Sequence, residues 1–304
     1  MTHRLPTLLG LFTSGLAIML ASGCGEDPHV ALSAEQLLAS GLEKTDRFDF
    51  EKAAPLYAAA AAKSTPDAVV WRQATYAHAV CLHQMTPPSA GNIAQATELY
   101  TSVTVKAPTS IEAANACLQL GRIAEQIDFH PEPVDLPLAR EWYGKVVAGW
   151  ANEPVAGEAV LALAGTWFQT MDQAEAQKGA ILIEDWLAAH PKDPMAAVMW
   201  QTLGYASHQI LNDRPRAIRA FLKAEALGFV SNGRQQVPLW TLSRLAELEG
   251  DRPLAIRCYT RMVEEFPTGG KGWEARERLI ALGVNPPPLR RFSKAAETTE
   301  GVSK

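Results

Sequence analysis

Cysteine is the residue type here with the widest chemical reach, because a thiolate can hold a metal or attack an electrophile. Cys24, Cys81, Cys117 and Cys258 form no C-x-x-C pair, and no histidine stands at metal-ligand spacing from any of them. A zinc site is therefore not expected. The last three lie inside apolar helical runs, where a thiol acts as a small hydrophobe. His78 and His83 are five residues apart and point to different sectors of a helix, while His130 and His190 adjoin prolines. Glu184 with Asp185, and Glu264 with Glu265, are adjacent carboxylates. As helix neighbours they point about 100° apart, the wrong geometry for an acid/base dyad. The protease, hydrolase and nucleotide signatures H-E-x-x-H, G-x-S-x-G, G-x-x-x-x-G-K-[ST] and G-x-G-x-x-G are absent. The sequence thus gives no catalytic residue, metal or cofactor, and the expectation is a protein that is not an enzyme. Eight tryptophans could stack on sugars, but they recur at helical packing positions, which points to core for all but Trp240.

Charge narrows the partners. The formal net charge is −5, made of 16 Lys and Arg against 11 Asp and Glu in residues 200–304, and 12 against 22 before them. No global basic footprint for nucleic acid exists, and solvated helix faces account for the imbalance.

The N-terminus carries the one residue with an assignable modification. Arg4 precedes an apolar stretch of 16 residues, Leu5 to Leu20, and the small residues Ala21, Ser22 and Gly23 lead to Cys24. This reads as an export signal, too short for the roughly 20 residues a spanning helix needs. Leu20-Ala21-Ser22-Gly23-Cys24 resembles the lipobox of bacterial lipoproteins, with Ala21 where that family prefers Leu. The resemblance implies cleavage before Cys24 and lipidation of its thiol. Two or more acyl chains anchor stably where one holds marginally. Gly25, rather than the Asp that favours inner-membrane retention in enterobacteria, makes the outer membrane, periplasm-facing, the expected address.

The elements that fill the rest of the chain are repeats. A small residue, then a bulky anchor four positions on, then an apolar residue three further, recurs six times. The small residues are Ala53, Ala96, Ala139, Gly179, Ala217 and Ala255; the anchors are Tyr57, Tyr100, Tyr143, Ile183, Phe221 and Tyr259, at spacings of 43, 43, 40, 38 and 38. Ala60, Val103, Val146, Trp186, Ala224 and Met262 complete the stripes, and Pro66, Pro108, Pro154, Pro191 and Pro267 are expected to close five of the helices. Spacings of four and three put each trio on one helix face. Before most of these helices runs another, with close-packing pairs expected at Ser40-Gly41, Leu120-Gly121, Ala164-Gly165 and Leu203-Gly204. A unit is therefore a helical hairpin.

The hairpins resemble the tetratricopeptide repeat, whose pattern of about 34 residues is W-x₂-L-G-x₂-Y, then A-x₃-F, then P. Leu239, Leu242, Ser243, Ala246, Gly250, Ala255, Tyr259, Met262 and Pro267 follow its spacing throughout, and Trp200 to Gly204 supplies the W-x-x-L-G half. Extra loop residues, Thr86 to Asn92 and Asp128 to Pro137, lengthen the units. Ser33 to Gln36 reads as a capping box opening the first helix, and Lys271 to Leu282, closed by Gly283, as a solvating cap.

The expected fold is all-α: a right-handed solenoid of about six such hairpins with a C-terminal capping helix. The expected organisation is a signal over 1–23, a linker over 24–32 behind the lipidated Cys24, the repeat domain over 33–283 and a disordered tail over 284–304. By the resemblance, the first helix of each hairpin lines a concave surface that binds an extended peptide or a helix. Carried over by register, that face holds Asn115, Arg122 and Gln126 in the third hairpin, and Gln169 in the fourth. Gln201, Tyr205 and His208 follow in the fifth, and Trp240, Arg244 and Glu247 in the sixth. The expected function is a scaffold for protein partners in the cell envelope, held to the membrane through Cys24; the alternative is a glycan-binding or polysaccharide synthesis and export accessory lipoprotein.

Overall fold

The computed structural model describes residues 32–127, 134–230 and 236–288; Cys24, the signal over 1–23, His130 and residues 289–304 lie outside them. Thirteen helices and no strand occur among the described residues. They form six hairpins: α1 (Ala34–Thr45) with α2 (Phe50–Ala62), α3 (Val69–Gln84) with α4 (Ala90–Lys106), and α5 (Ile111–Glu125) with α6 (Leu136–Gly149). Then come α7 (Pro154–Phe168) with α8 (Gln173–Ala189), α9 (Ala196–Gln209) with α10 (Arg214–Leu227), and α11 (Gln236–Leu248) with α12 (Arg252–Glu265). A single helix, α13 (Gly270–Ala281), ends the array.

Helices start where side chains satisfy the free N–H groups. Ser33 accepts from the Gln36 amide while the Gln36 side chain accepts from the Ser33 amide, at 3.2 and 2.8 Å, completing the capping box. Asp135, Asp172, Asp213 and Asp251 each accept at the N-cap of the second helix of a hairpin. Gly283, at φ +71, turns the chain after α13, a conformation that costs a side chain about 1–2 kcal/mol.

The second helices carry the core. All six anchors are fully buried, and the small residues before them and the third members of each stripe are buried too. Against three of the anchors lies a glycine of the first helix. A β-carbon on Gly41 would stand 2.6 Å from the Tyr57 ring, and one on Gly204 would stand 2.9 Å from Phe221; one on Gly121 would overlap Tyr143. Cys81, Cys117 and Cys258 are buried in this core, and burial pushes each thiol up to about 11.

Four expectations need correction. Gly165 meets nothing within 4 Å; Ala164, one residue earlier and fully buried, is the packing residue of the fourth hairpin. Pro154 does not close α6, which ends at Gly149, but opens α7, where a missing N–H costs nothing. The inserted loops are shorter than their sequences suggest, since Ala90 to Asn92 belongs to α4 and Leu136 to α6. Trp273 is no core residue: it is 56% exposed on α13.

Candidate functional site

The first helices form one layer. Helix α1 packs on α3, α3 on α5, α5 on α7, and α11 on α13, whereas no comparable contact joins successive second helices among the described residues. Units that approach most closely on one side curve towards that side, so the first helices line the inner surface. The layer opens between α7 and α9 and again between α9 and α11.

On this layer the residue that follows the packing residue is large and stays partly open in three hairpins. Arg122 follows Gly121, Tyr205 follows Gly204 and Arg244 follows Ser243; all three are half-buried. Tyr76, which follows the buried Thr75, belongs to the same row and is missing from the residues picked by pattern. Trp71-x-x-Ala74-Thr75 is the signal that could have found it, being the W-x-x-L-G pattern with small residues in its last two places.

Most of the polar residues on the layer are already engaged. Arg122 pairs with Glu158 on α7, a partner that no local pattern reveals. Glu125 accepts from the Tyr143 hydroxyl at 2.6 Å and from Gln169. Arg244 donates to Glu247 at 2.6 Å, and the same carboxylate accepts from the Tyr259 hydroxyl at 2.6 Å. Gln201 clasps the Val230 backbone, donating to its carbonyl at 3.0 Å and accepting from its amide at 3.1 Å. Tyr205 stands edge-on to Phe221 at 5.0 Å, and burial raises its phenol above the ordinary value. Trp240 leans on Tyr259 at 5.7 Å, with the Lys271 ammonium 4.7 Å above it. Asn115 and His208 are half-buried, and Gln126 is the exposed C-cap of α5.

A rule connects the anchors to this layer. The tyrosine hydroxyls of Tyr57, Tyr143 and Tyr259 reach back to Thr45, Glu125 and Glu247, one turn beyond the packing residue of the same hairpin. In the second hairpin that place is Ala79, and the buried Tyr100 hydroxyl has no partner among the described residues. Burial raises the Tyr100 and Tyr143 phenols far above the ordinary value, and the Glu125 carboxylate adds to the shift at Tyr143.

Among the described residues no cluster of His, Cys, Asp and Glu could hold a metal, and no helix is long and apolar enough to cross a membrane.

Paired helices, a small residue of the first seated against the anchor of the second, and first helices layered on one another define a tetratricopeptide-type helical solenoid. Two solved structures share this architecture. The pilF protein of Pseudomonas aeruginosa superposes with a TM-score of 0.54 at 16% identity, over 81% of this chain and 97% of its own. An assembly chaperone of RpL4, Acl4, superposes with a TM-score of 0.53 at 14% identity, over 83% of this chain and 98% of its own. No protein-family model matches the sequence, and no curated protein matches it.

Proposed function

We propose that this protein is a non-enzymatic scaffold of the bacterial envelope, holding a peptide or helical segment of a protein partner along the layer of first helices. The observation that carries the reading is the row of Tyr76, Arg122, Tyr205 and Arg244. These are large polar and aromatic groups, half-buried, at one equivalent inner position of four hairpins. Rings of limited rotamer freedom beside hydrogen-bonding side chains are the composition of binding hot spots. Arg122 and Arg244 are neutralised by Glu158 and Glu247, so shape and hydrogen bonds, rather than net charge, would select the segment. The lipobox-like end of the signal favours anchoring through Cys24, on a tether from Gly25 to Leu32 of at most about 25–30 Å.

Glycan binding would need several open tryptophan faces in one groove. Trp71 and Trp186 are buried, and lysine ammonium groups cap Trp142 at 3.6 Å, Trp200 at 3.9 Å and Trp240 at 4.7 Å. The protein-binding reading therefore takes precedence.

Photo-crosslinking in intact cells tests it, with a photoreactive residue placed at Tyr205 or Trp240 on the inner layer or at Glu141 on the outer surface of α6. The inner probes should capture one and the same protein, and the outer probe should not. Equal capture from Glu141 would move the site off this layer. Cys24→Ser should release the protein from the membrane fraction; retention there would remove the anchor from the reading.

A further inference from the structure

Where first helices lie on one another, the second helices outside them spread apart. Between α4 and α6 the gap is a cleft of about 590 Å³, floored by Cys117 of α5. Sequence spacing builds its walls. Thr101, Thr104 and Val105 stand three and one apart, on one face of α4, and Trp142, Lys145 and Gly149 stand three and four apart, on one face of α6. Trp150, the C-cap of α6, adds a second indole ring. From Trp142 to Gly149 the wall runs for about 10 Å, so the cleft is a trough between two helices.

The lining is mostly apolar. Val105 is 71% exposed, and the half-buried Trp142 and Trp150 pack against the cores of both the second and the third hairpin. The Thr104 hydroxyl donates to the Thr101 carbonyl at 2.8 Å, so it is satisfied without a ligand. One full charge stands on the cleft, the Lys145 ammonium, 3.6 Å from the centre of the Trp142 ring. No carboxylate lines the cleft, and Lys145 forms no ion pair among the described residues. Its charge reaches the floor, where it opposes the upward push of burial on the Cys117 thiol. An apolar cleft of this size with one placed polar group has the form of a small-molecule site.

We infer that this cleft binds a single-chain amphiphile with a carboxylate head, its chain lying along the trough against Val105, Trp142 and Trp150 and its carboxylate meeting Lys145. An apolar chain displaces water that such walls hold poorly, and the ammonium gains the counter-charge it lacks within the protein. A cationic head is repelled at Lys145, and a neutral head leaves the ammonium without a counter-ion. The inference stands apart from the inner-layer reading, because it uses none of its residues.

Calorimetric titration of the Cys24→Ser chain, which offers no thiol there for an acyl chain of its own, tests it with dodecanoate, dodecyltrimethylammonium and dodecyl maltoside below their micelle-forming concentrations. Dodecanoate should bind about tenfold tighter than the other two. Lys145→Glu should abolish that preference, and Ala148→Trp should weaken dodecanoate about tenfold by filling the trough. Both positions are exposed, so the fold is kept. Bound dodecanoate should also slow alkylation of Cys117 and leave that of Cys258 unchanged. Equal affinity for the three amphiphiles, or dodecanoate binding that both variants leave intact, would overturn the inference. So would a dimer that Ala148→Trp dissociates, because the occupant would then be a second copy.

Discussion

The first four hairpins and the last two are joined in different ways. From α3 to α7 neighbouring units share continuous apolar clusters, and each first helix lies on the next. From α8 to α12 the core remains continuous, but successive hairpins meet over fewer residues, and the long polar side chains that span joints in both halves, as Arg122 and Glu158 do between α5 and α7, carry a larger share of the contact. Arg216 of α10 grips Glu184 of α8 through two bonds of 2.9 and 2.6 Å and reaches Gln177 at 3.0 Å. Arg257 and Arg261 of α12 converge on Glu225 of α10 at 2.7 to 2.9 Å. Apolar attraction needs surfaces in contact, whereas a guanidinium on a long stem bonds a carboxylate across a wider gap. The first half is therefore the rigid block, and the joint between α8 and α9 is where the solenoid yields first.

The hardest test of the rigid half is Gly121→Leu. Tyr143 occupies the space a side chain would need, so the substitution should cost about 3 kcal/mol or more, read as a lower urea midpoint. A loss below about 1 kcal/mol would mean that the two helices part easily, and the contrast between the halves would collapse. Arg216→Met acts on the other half. The arginine side chain is only 10% exposed while Glu184 is 40% exposed, so losing its bonds should cost about 1–3 kcal/mol. Hydrogen exchange should quicken in α9 to α12 and hold steady in α3 to α7; an even response along the chain would remove the distinction. The smallest effect is expected at Gly165→Ala. Nothing stands within 4 Å of the added carbon, so trading glycine for alanine inside a helix should raise stability by about 0.5–1 kcal/mol. A loss there would restore Gly165 as the packing residue of the fourth hairpin.

Hairpin number, anchors and the capping box at Ser33 were legible because each depends on residues three or four apart on one helix. Register within a unit was less so: Ala164 and Gly165 are both small, and only the position of the facing helix distinguishes them. The candidate site was legible as a set of positions, Arg122, Tyr205 and Arg244 falling in one row. Its electrostatics were not, because Glu158 lies 36 residues from Arg122 and meets it only once α7 packs beside α5.

By itself the sequence determined an all-helical array of six hairpins and an end helix, since helix periodicity, small-residue seats and caps are local properties of a chain. Tertiary structure alone decided which charges on the inner layer are neutralised, where neighbouring hairpins loosen, and that Trp273 stands open instead of buried. Those outcomes depend on distances between residues far apart in sequence, and such distances exist only after the helices have packed.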